Sequence, residues 1–226
     1  MSIFTIARLT FREAARRKIL LAALLLGLAF LIVYALGFHF ITTDLQNNRG
    51  EYRLLELNEI RNFLLMAGMY VVNFLTTIMT VLTSVDTLAG EINSGTIHTL
   101  VTKPIRRWEI VLGKWLGFSG MITLYLLLMG GGIVGYIYLY SGYTAPNWPV
   151  ALVLIWLNGM LMLSVSLMGG ARLSTLANGV LVFGLYGVAF IGGWIEQIGS
   201  FFLTSGTLTQ INAGRAAVNI GVITSL

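Results

Sequence analysis

Long apolar runs alternate with short polar intervals along this chain. Five runs stand out, Ile19 to Ile41, Phe63 to Val85, Ile110 to Tyr140, Pro149 to Met168 and Ala177 to Ile195. A hydrocarbon core about 30 Å thick is crossed by about 20 apolar helical residues, so each run predicts one crossing. The pattern predicts an all-α integral membrane protein, a polytopic helical bundle with five spans at 19–41, 63–85, 110–140, 149–168 and 177–195. Residues 2–18 read as a surface helix, 86–109 as a polar coupling segment and 196–226 as an outer or re-entrant segment, all within one transmembrane domain, 1–226.

Composition sharpens this picture. Hydrophobic residues make up 57% and charged residues 10% of the chain, against about 25% charged in soluble domains. The first run exceeds the roughly 7–15 residues of a signal-peptide core, lacks a small-residue cleavage site and is followed by further spans, so it stays as a mature helix. There is no cysteine, which excludes disulfides, thiolate catalysis and cysteine metal sites. The net charge of +5 belongs to the flanks of the spans and does not point to nucleic acid.

Those flanks set an orientation. Arg8, Arg12, Arg16, Arg17 and Lys18 precede the first run against the single acid Glu13, and cytoplasmic flanks carry the excess of Lys and Arg. The N-terminus is therefore expected inside. Residues 42–62 then fall outside, where acids outnumber bases, and Lys103, Arg106, Arg107 and Lys114 return to the inside, as does Arg172. Tyr136, Tyr138, Tyr140, Tyr143 and Trp148 cluster at an outer boundary, and Trp108 with Trp115 brackets an inner one, as interfacial aromatic belts do.

The segments differ in what they are built for. Arg8, Arg12 and Arg16 recur every fourth residue, with Ile3, Ala7, Phe11 and Ala14 expected to form the apolar side of a helix on the membrane surface. The second span carries Asn73, Thr77, Thr80 and Ser84 on one face. Such a stripe in lipid either bonds back to its own helix and glues neighbours together, or lines a substrate path. Gly113 and Gly117, and the glycines from Gly130 to Gly135, allow close helix approach. Gly113-Lys114 is no phosphate loop, since the upstream Gly and the following Ser or Thr of that motif are missing. Ionisable groups deep in the spans are nearly absent, and neither a zinc-protease nor a nucleophile-elbow motif occurs. An intramembrane enzyme is therefore disfavoured, and any energy source is expected in a partner.

The interval from Asp86 to Glu109 is the most distinctive. Glu91 is expected to start a short helix, where a carboxylate suits the helix dipole, with Ile92, Thr96, Ile97 and Leu100 on an apolar-leaning face. Lys103-Pro104 closes it, because proline disfavours helical geometry in the residue before it. Such a helix fits a groove in another protein, or rests on the inner membrane surface.

Glu91, Gly95, Thr96, Ile97, Leu100, Lys103, Pro104, Arg107, Glu109, Gly113 and Lys114 stand at spacings that resemble the motif of ATP-binding-cassette (ABC) type-2 transporter permeases. Ala7, Arg8, Thr10, Phe11, Arg12, Glu13, Arg16 and Lys18 likewise resemble the N-terminal surface helix of that family. The resemblance implies a permease subunit whose cytoplasmic coupling helix contacts a nucleotide-binding subunit through Glu91, Gly95, Thr96, Ile97, Leu100, Lys103, Pro104 and Arg107. It implies export, a path lined by spans 2 and 5 that would give Asn73, Thr77 and Thr80 a role, and a multi-pass location in the cell (inner) membrane. Its implied partners are a cytoplasmic ABC ATPase subunit, a second permease copy or paralogue, and the lipid bilayer. No cofactor is expected in this chain, since ATP and Mg would be bound by the ATPase subunit. The family normally has six spans with an outer re-entrant region between the fifth and sixth, so 196–226 is either an outer amphipathic or re-entrant segment or the stretch before a sixth span. A non-transporting membrane anchor that recruits a cytoplasmic partner fits the same docking segment.

Overall fold

The structure is a computed structural model that describes residues 3–16, 18–47, 54–93, 107–145, 147–196 and 198–199. Its helices are α1 (Ile3–Ala15), α2 (Lys18–Asn47), α3 (Leu54–Asn93), α4 (Arg107–Ser141) and α5 (Trp148–Gly170), followed by α6 (Thr175–Glu196). No strand occurs among the described residues. The five helices from α2 to α6 are long and apolar enough to cross a membrane.

Several helices overrun the apolar runs that predicted them. Hydrogen bonding within a helix needs no lipid, so a helix continues past the hydrocarbon until the sequence stops it. This corrects one expectation. Glu91 does not begin a helix, because α3 continues through it to Asn93; Gly90 weakens a helix without breaking it. The end of α4 is sharper. Gly142 takes φ of +64° and its N–H bonds to the Tyr138 carbonyl at 2.9 Å, the left-handed glycine stop that a side chain would resist. Helix α5 starts with Pro149 in its first turn, where the missing N–H costs nothing.

The chain forms two compact units, one through Val182 and one from Phe183. In the first, α3 is the central helix: 56% of its apolar stretch is buried, against 6% for α2. Met69, Val72 and Met79 of α3 pack with Ile122, Tyr125, Met129 and Ile133 of α4 and Leu163 of α5. Helix α2 leans on this core through Phe38 and Tyr34 while Leu21, Leu25, Leu26, Ile32 and Val33 stay exposed. In the second unit, Tyr186, Phe190 and Trp194 follow at four-residue spacing with successive ring centroids 6.1 Å apart, the first pair stacked and the second tilted.

Contacts at the helix ends fix the alternation of direction. The C-terminal ends of α2 and α4 meet where Thr43 Oγ1 lies 3.2 Å from the Tyr140 hydroxyl and Phe38 meets the Tyr136 and Tyr140 rings edge-on. At the opposite end, Trp115 of α4 donates to Ser164 of α5 at 3.0 Å, and Thr175 of α6 donates to Asp86 of α3 at 3.1 Å. Helix α1 packs on the beginning of α4, so Arg8, Arg12, Arg16, Lys114 and Arg172 gather at this one end.

Candidate functional site

Two surfaces of the first unit carry residues that the sequence singled out. One joins α1 to α4. A methyl group built on Gly113 would lie 2.7 Å from Ile6 Cβ, and one on Gly117 would lie 2.7 Å from the Ala7 carbonyl and 2.8 Å from Thr10 Cβ. Only glycine lets the two backbones approach this closely. The buried residues of α1 are Ile6, Thr10 and Ala14, and Ala14 alone of these belongs to the apolar side read from the sequence. Phe11 is partly buried against the core, while Phe4 and Leu9 remain exposed. Thr10 belongs to this buried set although it carries a hydroxyl. Its small side chain fits the glycine seat, and Lys114 beside that seat is also buried.

The other surface runs along the polar face of α3. Thr77 donates to the Asn73 carbonyl at 2.8 Å, Thr80 to Thr76 at 2.7 Å and Thr83 to Met79 at 2.7 Å. Ser84 donates to the Thr80 carbonyl and lies 2.8 Å from Ser166 Oγ of α5. The stripe thus does what hydroxyls do in lipid, bonding back to carbonyls one turn earlier and reaching across to a neighbour. Near the end of the stripe Asn178 of α6 donates to the Val85 carbonyl at 3.3 Å and to the Ser166 carbonyl at 2.9 Å. One buried amide therefore ties α6 to α3 and α5.

Asn73 behaves differently from the threonines. Asn158 of α5 donates through Nδ2 to Asn73 Oδ1 at 3.0 Å and to Thr77 Oγ1 at 3.2 Å. The pair borders an open groove of about 470 Å³ between α3 and α5, lined also by Met66, Met69, Tyr70, Leu154 and Ile155. Gly159 lets α5 approach α4 closely, since a methyl there would sit 3.2 Å from Ile122 Cγ2, whereas Thr80 Oγ1 of α3 would lie at an ordinary contact distance of 3.8 Å. Asn158 was missed at the level of sequence, although an amide in the middle of an apolar run was the signal available.

The structure brings Asn73 and Thr77 together around Asn158, whereas Thr80 lies one turn further on; Thr77 and Thr80 are both buried. Glu91 falls in the last turn of α3 and Arg107 at the first position of α4. Gly95, Thr96, Ile97, Leu100, Lys103 and Pro104 lie outside the described residues.

A family model described as ABC-2 family transporter protein matches residues 4–223. The chain belongs to the ABC-2 transporter family. A comparison with curated proteins gave no match. Membership covers the α1–α4 seat and the α3–α5 face alike, and with five membrane-crossing helices it makes this chain a multi-pass membrane component of an ABC transporter.

Proposed function

We propose that this chain is the permease subunit of an ATP-driven exporter, paired with a second permease and driven by a separate cytoplasmic ATPase. The observation that carries this reading is the family match across residues 4–223. ATP and Mg belong to the ATPase subunit, and this chain transmits and conducts. Closure of two ATPase subunits would carry the segment between α3 and α4 with it, and the paired permeases would switch from inward-open to outward-open by a rigid-body change. Contact through Glu91, Gly95, Thr96, Ile97, Leu100, Lys103, Pro104 and Arg107, with the N-terminus cytoplasmic in the cell (inner) membrane, follows from the charge pattern and the motif spacing. Asn73, Thr77 and Thr80 belong to the substrate path in this reading.

The test is purification in mild detergent with assay of the eluate for ATPase activity. An ATPase is expected to accompany the chain, and Glu91→Ala or Gly95→Leu is expected to reduce its recovery by more than about tenfold, as truncation at an interface hot spot does, without loss of membrane insertion. Undiminished transport by Glu91→Ala would sink the coupling role. Clean recovery with no ATPase would favour the membrane anchor.

A further inference from the structure

The amide pair between α3 and α5 has two features that helix packing does not require. The first is depth. Asn73 lies midway along the stretch Asn58–Thr87, and Asn158 midway along Trp148–Gly170, so both carboxamides sit at the level of the bilayer centre. Polar side chains there are costly and mark sites of function when they face a cavity.

The second is what the pair leaves unused. Asn158 Nδ2 spends its two protons on Asn73 Oδ1 and Thr77 Oγ1, and the Thr77 hydroxyl proton goes to the Asn73 carbonyl. This small network fixes both amides. Asn73 Nδ2 remains as a donor and Asn158 Oδ1 as an acceptor, and neither has a hydrogen-bond partner among the described residues. Both residues are half-buried and line the groove. A fixed donor beside a fixed acceptor complements the N–H and C=O of another amide.

The rest of the groove defines the molecule further. Met66, Met69, Leu154 and Ile155 supply apolar and deformable walls, and about 470 Å³ is a volume that suits a small organic ligand. No charged side chain lines it, so an ion would lose its water there without gaining a counter-charge. Met66, Tyr70 and Leu154 are about half exposed, which leaves the groove accessible from the side of the bundle.

We propose that the groove between α3 and α5 binds an uncharged amphiphile through a hydrogen-bonding amide or lactam group, read by Asn158 and Asn73 while its apolar body lies among the methionines. The proposal deepens the permease reading by naming the chemical class of its cargo, and it rests on that reading for what the bound molecule is for. Binding itself needs neither nucleotide nor ATPase.

The test uses the full chain in lipid nanodiscs and a diazirine-bearing long-chain primary carboxamide as photolabel, with the methyl ester of the same chain as control. Saturable labelling of peptides that contain Met66 to Asn73 and Leu154 to Asn158 is expected, with the amide preferred. Asn158→Leu and Asn73→Leu are each expected to lower that preference by roughly threefold, the usual weight of one hydrogen bond in a membrane interior. Asn158→Gln, which keeps the amide, is expected to retain part of it and guards against misfolding as the cause. Equal labelling by amide and ester, or labelling indifferent to both leucine variants, overturns the proposal. Because the chain has no cysteine, Leu154→Cys gives a clean second test. Quantitative disulfide dimers in native membranes would mean that a second copy covers the groove, and that too overturns it. A co-purifying ATPase with no labelling sinks the site alone, whereas labelling without any ATPase sinks the permease reading and leaves the site.

Discussion

Helices α2 and α3 cross the same bilayer side by side and answer to opposite rules. Helix α2 has an almost unbroken apolar sequence, yet only 6% of its apolar stretch is buried in protein. Helix α3 carries the row of Thr, Ser and Asn, and 56% of its apolar stretch is buried. In a soluble protein the greasier helix would be the core. In lipid, apolar surface gains little by leaving the solvent, so hydroxyls and small residues gather where helices pack. Apolar content here reports contact with lipid, and polarity reports contact with protein.

The sharpest way to break this comparison is to wedge α5 away from the helices it packs on. Gly159→Leu on α5 would drive a side chain into Ile122 and toward Thr80, and it is expected to cost about 3 kcal/mol, in line with severe overpacking. Thermal unfolding in detergent would read it, and a variant as stable as the parent would mean that α5 is not packed on α4 and α3 as described. A smaller effect belongs to the Ser84–Ser166 contact. A double-mutant cycle to alanine should give a coupling of about 0.6 kcal/mol, typical of hydrogen bonds between membrane helices; zero coupling would place the two hydroxyls apart. The smallest is expected on α2. Leu25→Ala, at a side chain 57% exposed, should change stability by less than about 0.5 kcal/mol. A loss several times larger would mean that this face packs against protein.

The spans were legible because bilayer thickness leaves little choice of length, and the polar stripe was legible because its spacing follows the helical period. Partners were less so. The glycines at 113 and 117 announced a close approach without naming α1 as the neighbour, since spacing describes one surface and not the other. The helix start expected at Glu91 was misplaced because the change to polar sequence was taken as the end of α3, although helical hydrogen bonds persist in water. Asn158 was overlooked because a single amide does not disturb an apolar run. The coupling segment, where the resemblance was most specific, lies mainly outside the described residues, and its assignment stands on motif spacing.

The seat that Gly113 and Gly117 provide for Ile6 and Thr10 also bears on how the protein is made. A chain emerges from the ribosome N-terminus first, so α1 exists long before the residues it will rest on. Through the insertion of α2 and α3 the glycine seat on α4 does not yet exist. The beginning of α4, once synthesised, closes on a helix made about a hundred residues earlier.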